Sequence, residues 1–186
     1  MKKIALLALF ALPCGLWAAP ETRALKGVAA PVTLQFEGKS LQLNGLGLRT
    51  KVVFKVYVGA LYLEKASKDG AEIAASEQVK RIELTFLRGV DGADVAKAIA
   101  DGFANNAGDA LPAIKERIAK FEKLIPDVKK GDKLAFTYRP GKGVEVEAGG
   151  KAAGSVEGKD FGDALLRVWL GPKPSDKALK DGLLGL

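Results

Sequence analysis

Arg49 is the residue of this chain most clearly suited to chemistry by charge. Its guanidinium stays protonated at any physiological pH and presents paired N–H donors that match a carboxylate or a phosphate. It follows Gly45 and Gly47, which read as a hinge, and precedes a β-branched and aromatic run. Val52, Val53, Phe54, Val56, Tyr57, Val58, Leu61, Tyr62 and Leu63 in that run read as a largely buried strand. A cation beside a buried strand needs an anionic partner. Glu64, Glu83 and Asp94 are internal candidates, and a bound anion is the other. By residue type alone, Tyr57 is a strand tyrosine with its ring in the core and its hydroxyl at the rim.

Other chemistries are narrowed by what the chain lacks. It contains no histidine, and its one cysteine, Cys14, falls in an N-terminal segment with the layout of a secretory signal peptide. Lys2 and Lys3 lead an apolar run from Ile4 to Leu12, and small residues follow at Ala18 and Ala19. The expected division is a signal peptide over 1–18 and one domain over 27–186, with a periplasmic or secreted product. The apolar run is short for a bilayer span, so no stable transmembrane segment is expected after processing. Without Cys or His, the mature chain has no Cys–His or Ser–His–Asp nucleophile, no His-based metal site and no disulfide. About 165 residues suffice for one core. Removing Lys2 and Lys3 lowers the net charge from +7 to +5. The charges that remain alternate in sign, as in KERIAKFEK, which reads as a solvated surface and not a nucleic-acid patch.

The elements that must position Arg49 are strands first, then helices, then strands again. Val32–Phe36 alternates, Glu37-Gly38-Lys39 turns the chain, and Leu41–Asn44 continues it. Lys80–Leu87 places Ile82, Leu84 and Phe86 on one face. Asp91 and Asp109 are read as caps of two helices, the first carrying Val95, Ile99 and Phe103, the second Leu111, Ile114, Ile118, Phe121 and Ile125. Strands return over 133–139, 144–148 and 151–156 with short turns between them. A helix over 159–170 buries Phe161, Leu165, Val168 and Trp169, Gly171-Pro172 stops it, and Ser175 is read as the cap of a last short helix. This order is α+β, a largely antiparallel sheet covered on one face by helices. Arg88, beside Gly89, reads as solvent-facing, and Tyr138 and Arg139 as rim positions.

Three blocks resemble the chalcone isomerase-like family: GLGLRTKVVFKVYVGALYLE, LTFLRGVDGADVAKAIADGFANN and the segment from Gly131 ending in FGDALLRVWLGPKP. The last is the most specific. The resemblance implies an open-faced β-sandwich, a large antiparallel sheet packed by helices with a ligand cleft between them. It also implies one of two activities. Plant isomerases of the family close a flavanone ring with an arginine, a threonine, and a tyrosine and an asparagine on a cleft helix. Fatty-acid-binding relatives keep the arginine and place a tyrosine in the following strand. Arg49 matches the arginine and Tyr57 falls at the threonine position, as in the binding relatives. The isomerase tyrosine and asparagine fall near Gly92 or Ala93 and near Ile99 or Ala100, which offer neither hydroxyl nor amide.

The resemblance therefore implies a non-catalytic protein for a fatty acid or similar small amphipathic carboxylate. Arg49 and Tyr57 are its ligand-binding residues, with no catalytic residue, metal or cofactor. The alternatives are an isomerase or lyase acting on a phenolic or enone substrate, and a ligand-free interaction module. Nothing in the sequence specifies an oligomeric state. One geometric demand follows. Along one uninterrupted strand Arg49 and Tyr57 would stand about 26 Å apart, too far to share a carboxylate. The chain must bend between them, near Thr50-Lys51.

Overall fold

The computed structural model of the chain describes residues 19–186. The signal segment expected over 1–18, with Cys14, lies outside them.

Seven strands form one antiparallel sheet in sequential order: β3 (Thr33–Phe36), β4 (Lys39–Lys51), β5 (Phe54–Leu63), β6 (Lys80–Phe86), β7 (Lys133–Arg139), β8 (Gly143–Ala148) and β9 (Lys151–Val156). Each strand pairs only with its neighbours in sequence, so short turns suffice to connect several of them. Between β3 and β4, Glu37 and Gly38 both take positive φ, +46° and +78°, the backbone that a two-residue hairpin requires. A separate hairpin of β1 (Thr22–Leu25) and β2 (Val28–Pro31) joins the sheet where the Leu43 N–H donates to the Val32 carbonyl at 2.9 Å.

Helices α2 (Gly92–Asn106), α3 (Leu111–Glu122), α4 (Lys159–Leu170) and α5 (Lys177–Leu183) cover one face. Alternation along the strands decides what they cover: Leu61 and Leu63 of β5 and Ile82, Leu84 and Phe86 of β6 point into that layer and are buried. Phe161 of α4 packs between Phe103 and Phe121, while Trp169 stacks on Phe136 with ring centres 5.8 Å apart. Buried aromatics of this kind contribute about 0.5–1.5 kcal/mol per pair beyond area burial. On the opposite face Ala30, Leu41, Ala60, Tyr62 and Val79 form a smaller cluster.

The helix over 159–170 and the late strands stand where their periodicity predicts. Several local expectations are corrected. Val52, Val53 and Phe54 are 89%, 76% and 56% exposed, because Val52 and Val53 form the turn of the β4–β5 hairpin and Phe54 is the exposed first residue of β5. Asp91 precedes α2 without a side-chain cap bond; Asp127 instead accepts from the Gly92 N–H at 2.8 Å. Asp109 lies in a 3-10 turn over 108–110, and Ala110 precedes α3. Asp176, not Ser175, caps α5, accepting from the Leu179 N–H at 3.0 Å. Helix α1 (Gly70–Ala75), capped by Asp69, had no counterpart in the sequence reading.

Glycine fixes the seat of α5. A Cβ at Gly47 would fall on the Leu179 carbonyl oxygen, and one at Gly45 on those of Gly182 and Leu183. The two glycines are thus no hinge. They are bare backbone inside a continuous strand, against which a helix lies without an intervening side-chain layer.

Candidate functional site

The bend that Arg49 and Tyr57 require is the β4–β5 hairpin, which turns at Val52-Val53, two residues beyond the expected place. It makes the pair direct cross-strand partners, a relationship that sets Cβ atoms about 5 Å apart on one face. Immediately beyond them the register shifts, since Thr50 pairs with Lys55 and Val56 is left as an extra residue. A bulge breaks strict alternation. Val56 and Tyr57, adjacent in sequence, consequently both pack toward the helical layer and both line one cavity.

That cavity has a volume of about 480 Å³, within the range of roughly 300–1,000 Å³ usual for small-molecule sites. Its apolar wall comes from β5 and β6 (Val56, Leu84, Phe86), from α2 (Val95, Ala98, Ile99) and from α4 (Val168, Trp169). Arg49 and Tyr57 lie on this wall, while Lys51, Phe54, Arg88, Asp91 and Asp94 also contribute to the lining.

Arg49 is paired internally, but with none of the expected partners. Its Nη1 donates to the Thr50 carbonyl at 2.7 Å and stands 3.4 Å from Asp176 Oδ2. Glu64 is engaged by Lys39 and the Val79 N–H, and Glu83 by Lys133; Asp94 lines the cavity without bonding Arg49. Both Arg49 contacts use Nη1. Among the described residues, Nη2 and Nε have no protein acceptor, so a second, two-pronged donor edge remains.

Asp176 is held by three groups. It accepts from the Thr50 N–H at 3.0 Å and from the Leu179 N–H, in addition to facing Arg49. Burial alone would raise its pKa; the two backbone bonds and the Arg49 charge outweigh burial and lower it. Upstream, the Asn106 side chain grips both backbone groups of Lys173 at 2.9 Å, pinning the segment that carries Asp176 to the end of α2. At the other end of α5, Asn44 Nδ2 donates to the Leu183 carbonyl at 2.9 Å.

Tyr57 is bonded by Trp169, whose Nε1–H donates to the phenolic oxygen at 3.1 Å. Burial pushes the Tyr57 pKa up to about 12, although the Trp169 bond and the Arg49 charge act the other way. The hydroxyl is therefore neutral at physiological pH and retains its proton as a hydrogen-bond donor.

The sequence reading missed Trp169 and Asp176 as site residues. Trp169 is core packing, as expected, but its indole nitrogen also orders the site. Arg88 is exposed, and its guanidinium also stands 4.6 Å above the Phe54 ring at the cavity edge. Tyr138 and Arg139 are away from this cavity. Tyr138 instead helps line a second recess of about 910 Å³ with Glu77, Arg117, Lys142, Glu157 and Lys159, a charged lining without an apolar wall for a hydrocarbon chain.

The family model described as chalcone isomerase-like matches residues 22–185. The chain belongs to the chalcone isomerase-like family. Its fold is that of solved structures with this architecture, among them a fatty-acid-binding protein of Arabidopsis thaliana. The match to that protein has a TM-score of 0.74 and 18% sequence identity, covering 88% of this chain and 96% of the plant chain. No curated protein matches the chain at a significant level. In this chalcone isomerase-like chain, α2 presents Asp94, Val95, Ala98 and Ile99 to the cavity, and Asp91 just before it also contributes. Ile99 is thus the one of the four isomerase-equivalent positions named above that reaches the cavity.

Proposed function

We propose that this protein binds a fatty acid or similar small amphipathic carboxylate without making or breaking a covalent bond. The observation that carries the reading is the cross-strand pair of Arg49 and Tyr57 on the wall of an apolar cavity. The ligand carboxylate takes the free Nη2 and Nε edge of Arg49 and accepts the Tyr57 hydroxyl proton. The hydrocarbon chain lies along Val56, Phe86, Val95 and Ile99, each buried methylene contributing about 0.8 kcal/mol. The plant neighbour, itself a fatty-acid-binding protein, supports this reading. A neutral Tyr57 is a donor and a poor general base, which favours binding over an isomerase or lyase reaction. The layout of residues 1–18 supports export, so the proposed compartment is the periplasm or the exterior. Among the described residues no helix is long and apolar enough to cross a membrane.

The deciding experiment is calorimetric titration of delipidated protein with a long-chain fatty acid, beside Arg49→Ala. Saturable binding that weakens by about tenfold or more, about 1.4 kcal/mol, supports the anchor. A folded wild-type protein that binds nothing overturns the reading. Equal binding by both proteins removes Arg49 from the mechanism.

A further inference from the structure

The large hydrophobic side chains that face solvent are concentrated at one place. Among the described residues only four are strongly exposed, and three are consecutive: Val52, Val53 and Phe54. They form the tip of the β4–β5 hairpin, a position where Asn-Gly or Gly-Asn is the comfortable choice. Val52 instead adopts φ +58°, which a β-branched side chain tolerates poorly. These residues are thus costly both for the turn and for a water-facing surface, and an exposed apolar cluster of this kind marks a contact surface.

Charge indicates the partner. Lys51 and Lys55 flank the tip, Arg88 stacks on Phe54, all three are exposed, and none has an ion-pair partner among the described residues. Asp91, just before α2, and Asp94 on it also line the cavity, whereas the hairpin segment 51–55 itself carries no acidic residue. Aliphatic and aromatic side chains beside long basic ones fit a lipid headgroup layer, where the apolar groups sink and the cations meet phosphates. A symmetric contact between two copies of this tip would instead bring both sets of cations together.

Continuity adds the second argument. Lys51, Val52, Phe54 and Arg88 line the mouth of the cavity as well as the tip. A tip seated in a bilayer would open the apolar cavity onto the acyl region, so that a hydrocarbon chain could pass between them without crossing water. We infer that the β4–β5 hairpin tip docks the protein onto an anionic phospholipid bilayer, with Val52 and Val53 inserted and Lys51, Lys55 and Arg88 at the headgroups. The lipid exchange this would permit rests on the ligand reading above; the docking itself does not.

The test uses Val53→Asp and Lys55→Glu, since neither residue lines the cavity. Flotation is measured with phosphatidylcholine vesicles, with and without phosphatidylglycerol, and fatty-acid affinity is measured separately in solution. Wild-type protein floats with the phosphatidylglycerol vesicles, and Val53→Asp loses about tenfold or more of that partitioning. Lys55→Glu weakens the preference for phosphatidylglycerol, and added salt weakens it further. Both variants keep the wild-type melting temperature and fatty-acid affinity. Wild-type protein that floats with neither vesicle overturns the inference, as does equal flotation of Val53→Asp. A wild-type dimer that Val53→Asp converts to monomer, with no vesicle binding, overturns it in favour of self-association. Failure of the fatty-acid titration with flotation intact separates the ligand reading from this one.

Discussion

The indole N–H of Trp169 donates to the Tyr57 hydroxyl oxygen across 3.1 Å, joining the end of α4 to β5. Because the tyrosine accepts this bond, its own proton is directed to another acceptor, and the same ring meets Phe86 edge-on at 5.5 Å. Trp169 therefore aims a hydroxyl that Arg49 alone could not aim.

Tyr57→Phe should weaken carboxylate binding by about 0.5–1.5 kcal/mol. Trp169→Phe should weaken it less, by letting the hydroxyl rotate. The double variant should lose less than the sum, because the indole bond has value for the ligand only when the hydroxyl is present. Calorimetry on the four proteins checks this; additive losses would reject the linkage.

Under the proposed function, Asp176 competes with the ligand carboxylate for Arg49. Asp176→Asn removes the charge and keeps one acceptor oxygen, enough for the Leu179 N–H or the Thr50 N–H but not for both. Fatty-acid affinity should rise by about 0.5–1 kcal/mol, while Asp176→Ala should lower stability by about 1–2 kcal/mol through loss of the cap. The acid limb carries the same signature. The Asp176 carboxyl has a lowered pKa when folded, so its contribution is present above the unfolded carboxylate pKa and lost as pH falls through the folded one. Acid unfolding of Asp176→Asn should lack that component.

Lys80 is fully buried, with its ammonium donating to the Ala74 and Ser76 carbonyls at 2.7 and 2.9 Å, 3.7 Å from Asp163 and over the Tyr138 ring. Burial lowers its pKa to about 8; Asp163 and Glu77 oppose this, and Lys159 adds to it. The unfolded chain then binds the extra proton between about pH 8 and the ordinary lysine value, so stability rises with pH over that window. The rise should reach about 2–3 kcal/mol by pH 10, where ionisation of unfolded tyrosines begins to reverse it. Urea midpoints from pH 7.5 upward test this. Lys80→Met should flatten the curve.

Gly47→Ala forces a methyl onto the Leu179 carbonyl. It should cost about 1–3 kcal/mol and loosen α5 selectively. Hydrogen exchange would show early loss of protection over 177–183, with the sheet still protected.

Sheet strands and the α4 helix were legible because their patterns are local. Phe161, Leu165 and Trp169 recur at helical spacing, and Ile82, Leu84 and Phe86 alternate. The reading failed where local pattern is ambiguous. Val52-Val53-Phe54 has every mark of strand propensity and none of turn chemistry, so only the distance argument about Arg49 and Tyr57 pointed to a bend. Helix α1, six residues of GAEIAA, is too short for a period to show. The pairing of Arg49 was illegible for a different reason: Asp176 lies 127 positions away, and nothing in its own neighbourhood marks it as more than a helix cap. The bulge at Val56 has no sequence signal at all.

The same long separations order the events of folding. Arg49 meets Asp176, Tyr57 meets Trp169 at 112 positions, and Asn44 meets Leu183 at 139, whereas every pairing in the main sheet joins strands that follow one another in sequence. Such distant contacts are slow to close. During folding the sheet can assemble strand by strand, while the Arg49–Tyr57 pair gains its contacts to Asp176 and Trp169 only when the distant helical segments dock. Strand pairing alone therefore sets Arg49 opposite Tyr57, and the tyrosine hydroxyl is aimed only once the distant Trp169 has docked.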